Sequence, residues 1–211
     1  PEDFAYRARA AVGYGLHRKD PQLESGEDMR AFVIGNVALD EVLSVAEPPT
    51  FGASIHAEAG AVDLGGKGAN QAIVLGRAGL FCRFFAAVGE DSRADEIRSL
   101  LAAEPVETDL DRVAGVASDV SIILRTPAGD NAVITTNAAA SGLTTQAACA
   151  KLAAAGPGDL LVLQGNLSAE TTVAILRTAR HKGMKTALNP SPLRPYFAVL
   201  WPLVDIVFAN E

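Results

Sequence analysis

The chain has 211 residues, of which 49% are hydrophobic, and it carries a formal net charge of −7 at pH 7. This composition is typical of a globular protein with a sizeable core. Nucleic acids and anionic membranes are bound largely through Lys and Arg, so an acidic chain without a basic cluster argues against both as partners and favours a small-molecule ligand.

The cysteines and the hydropathy pattern indicate the compartment. Cys82 and Cys149 have no Cys or His neighbours at metal-ligand spacing, which predicts two free thiols in a reducing environment. No apolar run has the length of a membrane span, and residues 1–28 carry charges throughout instead of an apolar signal segment. The sequence therefore predicts a cytoplasmic protein.

Residues 1–28 differ in character from the rest of the chain. They are polar and mixed in charge, and they are predicted to be an appended or disordered segment. Met29 opens the stretch "MRAFVIGNVALDEVL", whose apolar start is typical of a first buried strand. We expect Met29 to be the natural start and residues 29–211 to form one α/β domain.

From Met29 onward, short apolar stretches alternate with amphipathic ones. This pattern predicts a mainly parallel sheet with helices on both faces. The predicted strands are residues 31–35, 83–88, 160–164, 186–188 and 206–209, and the predicted helices are residues 67–80, 92–103, 144–155 and 169–182.

Two stretches interrupt the alternation because they have β character and no helix between them. They are residues 51–64 and residues 119–136, the second with a hairpin turn around residues 127–129. We expect the two stretches to pair with each other in a small accessory sheet.

The sequence "GGKG", residues 65–68, places three glycines and a lysine directly before a predicted helix. Bare backbone at a helix start lets an oxygen-rich or anionic ligand approach the free N–H groups. The pattern is neither a Walker loop nor a dinucleotide fingerprint. On the residues alone, a ligand cradle around Gly66 and a tight strand-to-helix turn are both open.

Polar residues next to this turn could serve a polyol. Asp40 follows the first predicted strand, and Lys67 and Asn70 share the first helical turn. A carboxylate and an amide can exchange hydrogen bonds with vicinal hydroxyls. The alternatives are a turn or cap residue for Asp40 and an exposed helix residue for Asn70.

Further polar residues follow the later strands. Gln164 and Asn166 stand where an apolar strand ends, which is where open parallel sheets bind ligands. Asn189 and Asn210 mark the ends of two more strands, although an asparagine there can simply form a turn.

Four segments, in this order, resemble the ribokinase family of carbohydrate kinases, also called the phosphofructokinase B type. The segments are "GNVALD", "GGKGANQA", "LNPSP" and "DIVFANE", and the likeness runs from Met29 to the end of the chain. The resemblance implies a three-layer α/β domain with a β lid that closes over the sugar and often mediates dimerisation.

The resemblance also implies roles for single residues. Asp40 would bind sugar hydroxyls, Gly66, Lys67 and Asn70 would hold the sugar at the glycine-rich turn, and Asn210 would lie near the Mg-ATP phosphates. Two positions depart from ribokinase: Ala38 replaces an asparagine, and only Gln164 or Asn166 is available where ribokinase has a glutamate. Both departures argue against ribose as the substrate.

The implied activity is transfer of the ATP γ-phosphate to a sugar hydroxyl with Mg²⁺, and a monovalent-ion dependence stays open. The family's catalytic base would lie beyond Glu211, so this chain is expected to carry mainly the sugar-binding half, to be inactive alone, and to form a homodimer through the lid. Two alternatives stay open. One is a nucleoside or ketose-phosphate kinase of the same fold, and the other is an inactive sugar-binding or dimerisation module.

Overall fold

The structure, a computed structural model, describes residues 29–209. The expectations for residues 1–28 and for Asn210 lie outside the described residues. The described part contains ten strands: β1 (Ala31–Ile34), β2 (Ala38–Ser44), β3 (Glu58–Gly65), β4 (Cys82–Val88), β5 (Glu107–Arg112), β6 (Val120–Arg125), β7 (Asn131–Thr135), β8 (Leu160–Gln164), β9 (Lys185–Asn189) and β10 (Ile206–Val207). Its α-helices are α1 (Lys67–Arg77), α2 (Ser92–Leu101), α3 (Ala138–Gly142), α4 (Thr145–Ala150) and α5 (Ala169–His181), and two 3₁₀ helices cover Pro195–Val199 and Trp201–Leu203.

The main sheet has six parallel strands in the order β10-β9-β8-β1-β4-β5. Its central strand β1 is apolar and fully buried, as a parallel strand covered on both faces must be. Phe32 and Ile34 join a core cluster that includes Ile175 and Leu176 of α5. The alternate residues of β1 join a second cluster with α1 and α2 on the opposite face. The predicted parallel α/β sheet is thus confirmed.

A second sheet of four strands has the order β3-β2-β6-β7. Residues 119–136 contain the β6–β7 hairpin, whereas only residues 58–64 of the first helix-free stretch lie in β3. Both stretches contribute strands to one small sheet, as expected, but they do not pair with each other directly, because β2 lies between them, antiparallel to β3 and parallel to β6. β2 was not predicted because its sequence, "ALDEVLS", has two charged residues in the middle and is not an apolar run.

The predicted helices occur, with adjusted ends. α1 stops at Arg77, and Gly79, with φ of 91°, turns the chain away from the helical path soon after it. The helix predicted over residues 144–155 is shorter, because α4 ends at Ala150 and turns follow. The short helix α3 and the edge strand β5, whose sequence "ETDLDR" is polar, were not predicted.

Candidate functional site at the carboxyl edge of the main sheet

The ends of β1 and β8 lie side by side, because these strands pair in parallel from Ala31 opposite Leu160. The residues that follow them, Asn36 after β1 and Asn166 after β8, therefore emerge at the same edge of the sheet. β2 begins at Ala38, which brings Asp40 close to this edge as well. In open parallel sheets this edge is where ligands bind.

The glycines before α1 are required by the close approach of the segment that follows β1. Gly66 has φ of 93°, a conformation that side chains disfavour, and a Cβ there would lie 2.8 Å from the carbonyl oxygen of Asn36. A Cβ on Gly68 would lie 2.7 Å from that same oxygen. Both neighbours are backbone and have little freedom to move. The tight strand-to-helix turn therefore needs these glycines whether or not a ligand binds beside it.

Asn36 holds the start of α1 from the neighbouring chain segment. Its side-chain Oδ1 accepts a hydrogen bond from the N–H of Gly68 at 3.2 Å, and its backbone oxygen accepts one from Ala69 at 3.1 Å. The N-cap position, Gly66, has no side chain to do this. Sequence reasoning missed Asn36, and the available signal was an asparagine directly after the first apolar strand, as at residues 166 and 189.

Asp40 lies half-buried beside the glycine turn, with its carboxylate over Gly65. Burial raises the pKa of Asp40, and the neighbouring carboxylate of Asp63 adds to this, while the Ser121 hydroxyl and the Lys67 ammonium lower it. Its buried Oδ1 accepts no hydrogen bond from the described residues. The site thus brings Asp40 and Lys67 together and leaves one buried carboxylate oxygen without a hydrogen-bond donor among the described residues.

Lys67 and Asn70 lie on the first turn of α1, and both are exposed. Within residues 29–209, no carboxylate forms an ion pair with Lys67. Residues three positions apart on a helix are neighbours on its surface, so these two donors point to the same side. They are available to a ligand on that side.

The residues at the end of β8 are enclosed. Gln164 is fully buried, and its Nε2 donates to Oε1 of Gln71 at 2.6 Å, while its own Oε1 has no partner. Asn166 is 6% exposed, and its Nδ2 donates to Oδ1 of Asn137 at 3.3 Å, while its Oδ1 is also without a partner. Sequence reasoning missed Gln71 and Asn137 as partners of these amides.

The sequence model for the pfkB carbohydrate kinases matches residues 30–211. The chain belongs to the pfkB family of carbohydrate kinases. This confirms the resemblance seen in the sequence. The ribokinase of Haemophilus influenzae is 26% identical over 180 residues, which cover 85% of this chain and 59% of that protein. The chain thus spans less than two thirds of the length of this relative.

Solved structures of pfkB-type kinases share the fold. The ribokinase of Giardia lamblia superposes with a TM-score of 0.75 at 25% identity, covering 87% of this chain and 58% of that one. The ribokinase of Cryptococcus neoformans var. grubii, solved in complex with ADP, superposes with a TM-score of 0.71 at 26% identity. The superposition covers 87% of this chain and 57% of that one. The ribokinase-like fold of this pfkB chain is therefore shown.

The described residues offer neither a metal cluster nor a membrane-spanning helix. Residues 29–209 contain no group of three or more His, Cys, Asp or Glu side chains arranged to hold a metal ion. Across the same residues, no helix combines the length and the apolar character needed to cross a bilayer. Asn210, the residue expected on the ATP side, is outside the described residues.

Proposed function

We propose that the protein containing this pfkB chain transfers a phosphoryl group from ATP to a hydroxyl of a small sugar. The observation that carries the proposal is the pair of unpartnered buried acceptors at the carboxyl edge, Asp40 Oδ1 and Asn166 Oδ1. A buried acceptor without a donor costs about 1 to 3 kcal/mol. A sugar hydroxyl is a donor that would remove this cost, and a polyol carries several of them.

The other contacts come from the glycine-rich turn. Lys67 and Asn70 are exposed donors beside Asp40, and they suit the oxygens of the same sugar. Gly66 has no side chain to keep the sugar away from the backbone at the start of α1. Gln164, which the sequence also assigns to the sugar, has no exposed surface in this structure.

ATP and Mg²⁺ are proposed as the cofactors. The ADP in the Cryptococcus neoformans relative supports a nucleotide as the second ligand. Mg²⁺ would neutralise charge on the transferring phosphoryl group, as in other phosphoryl-transfer enzymes. Asn210 is proposed to lie near the phosphates of ATP. Kinase assays with and without K⁺ would test for a monovalent-ion requirement.

The second sheet is proposed as a lid that also forms a homodimer contact in the cytoplasm. Its exposed apolar side chains support this, since Val62 is 51%, Val133 54% and Ile134 65% exposed. Exposed apolar side chains that cluster on one sheet are typical of a protein–protein or ligand interface.

A second candidate is phosphorylation of a sugar that already carries a phosphate. One observation favours it: Arg194 lies at the same edge, with its Nε donating to the carbonyl oxygen of Gly165 at 3.1 Å. No carboxylate within the described part of the chain forms an ion pair with this guanidinium. An arginine there could hold a phosphate group of the substrate.

A coupled kinase assay on the full-length protein tests both candidates. The panel contains D-ribose, 2-deoxy-D-ribose, D-fructose and D-fructose 6-phosphate with Mg-ATP. Turnover of a neutral sugar that is lost in Asp40→Ala supports the first candidate, and turnover confined to the phosphorylated sugar and lost in Arg194→Ala supports the second. Turnover of neither kind, with no sugar binding by calorimetry, contradicts both. The same assay on residues 1–211 tests whether this part binds sugar without turnover.

A further inference from the structure

Gln164 differs from the other candidate residues because its side chain is fully enclosed. It lies at the end of β8, where its Nε2 donates a short hydrogen bond of 2.6 Å to Oε1 of Gln71. Gln71 is half-buried on α1, one position after Asn70. The hydrogen bond thus joins two chain segments that are 93 residues apart in sequence.

The carboxamide of Gln164 lies beside Gly35, which follows β1, and close to the start of α1. A Cβ on Gly35 would overlap its Oε1 and would lie 2.8 Å from its Cδ and 3.1 Å from Cα of Gly68. The amide therefore occupies the gap between the end of β1 and the first turn of α1. A movement of that turn relative to β8 would disturb the hydrogen bond to Gln71.

Stability alone does not account for a glutamine at this position. Its Oε1 is buried without a donor, which is a net cost to folding. An apolar side chain of similar size, such as leucine or methionine, would fill the same space without an unpartnered atom, and water can replace the lost donor at the half-buried Gln71. A glutamine at this position is therefore less stabilising than an apolar residue would be, which points to a role in the site.

We propose that Gln164 is a positioning residue: through Gln71 it fixes the first turn of α1, and with it Lys67 and Asn70, relative to Asn166 beyond the end of β8. The inference rests on the proposed sugar site, because it assigns Gln164 a role through other residues and not by contact with the sugar. It replaces the direct contact that the sequence suggested for this residue.

Three variants separate positioning from ordinary structural support. Gln164→Leu removes the donor and the unpartnered acceptor together. Gln71→Glu keeps an acceptor for Nε2 of Gln164 at a half-exposed position. Gln146→Leu changes an exposed glutamine on α4 and is the matched control.

Two measurements are made on each variant: amide hydrogen exchange of residues 67–71, and affinity by calorimetry for D-ribose, 2-deoxy-D-ribose and D-fructose. For Gln164→Leu we expect faster exchange in the first turn of α1 and a sugar affinity lower by about tenfold, the effect of one hydrogen bond, with an unchanged or higher urea midpoint. Gln71→Glu should keep wild-type exchange and affinity, and Gln146→Leu should change neither.

The proposal is overturned if Gln164→Leu leaves both exchange and affinity unchanged. It is also overturned if Gln164→Leu lowers the urea midpoint and Gln71→Glu weakens sugar binding to the same degree, since that is the behaviour of a purely structural contact. If the wild-type protein binds no sugar at all, the proposed function fails, and the exchange of residues 67–71 still decides whether Gln164 fixes the helix.

Discussion

Replacing Asn36 by alanine should destabilise the fold, because Asn36 holds the start of α1 from the neighbouring segment. Asn36 is 2% exposed, and its Oδ1 accepts the hydrogen bond of the Gly68 N–H, a buried group at the start of α1. Alanine would leave that N–H without a partner, which costs about 1 to 3 kcal/mol. Loss of a side-chain cap costs a comparable 0.5 to 2 kcal/mol or so. Both ranges describe the loss of the same hydrogen bond and are not added together. We therefore expect a decrease of about 2 kcal/mol in the free energy of unfolding.

The assay is urea unfolding of the wild type and Asn36→Ala, with thermal denaturation as a second measurement. A loss of 2 kcal/mol corresponds to a melting temperature lower by roughly 4 to 8 °C in a domain of this size. Asn70→Ala is the matched control, because Asn70 is exposed on the same helical turn. The control should unfold like the wild type, while its sugar affinity falls by about tenfold or more.

Two results would refute this reasoning. If Asn36→Ala unfolds within about 0.3 kcal/mol of the wild type, the N–H of Gly68 finds another partner and the cap is not energetically important. If Asn70→Ala destabilises the protein as much as Asn36→Ala, the two asparagines do not divide into a structural and a ligand-facing residue.

Three further predictions concern titration and reactivity. The pKa of Asp40 is raised above 3.8, chiefly by burial, so ionisation of Asp40 destabilises the folded state. Asp40→Asn should therefore raise the urea midpoint at pH 7. The difference in midpoint from the wild type should shrink as the pH falls through the raised pKa. Burial raises the pKa of Asp159, but hydrogen bonds from Arg30 and from backbone N–H groups outweigh this and hold the pKa below 3.8. The Arg30–Asp159 pair therefore stabilises the fold above pH 3.8, and this stabilisation is lost as the pH falls through the lowered pKa. Arg30→Ala should lower the free energy of unfolding in urea at pH 7 by about 1.5 to 3 kcal/mol. Burial raises the pKa of the Cys82 thiol to about 12, so a thiol reagent at pH 8 should modify Cys149 first in the native protein, and peptide mapping that finds Cys82 modified first would contradict this.

The main sheet could be predicted from the sequence because its strands are local apolar runs. β8 was predicted at its observed bounds, and β1 to within one residue. β2 could not be found in this way, because it is held by pairing with β3 and with β6, whose Val120 lies opposite Leu39 and about 80 residues away along the chain. Asp40 and Glu41 are tolerated in β2 because their side chains are only half-buried.

The candidate site was predictable in its residue types but not in its connections. The glycine turn and Asp40 were visible as a pattern, but the need for Gly66 and Gly68 depends on Asn36, 30 residues earlier. Likewise, Gln164 was recognised as a polar residue at a strand end, whereas its partner Gln71 follows from the contact between β8 and α1. Contacts between distant segments are set by the packing of the whole sheet, which no local pattern encodes.

The strand order of the main sheet has a consequence for the synthesis of the protein. β1 pairs with β4 on one side, but its other neighbour, β8, starts only at Leu160, opposite Ala31. At ribosomal rates of about 5 to 20 residues per second, the roughly 130 intervening residues take on the order of ten seconds or more to appear. During that interval the apolar edge of the central strand is open, so the nascent chain before residue 160 is the form that most needs a chaperone.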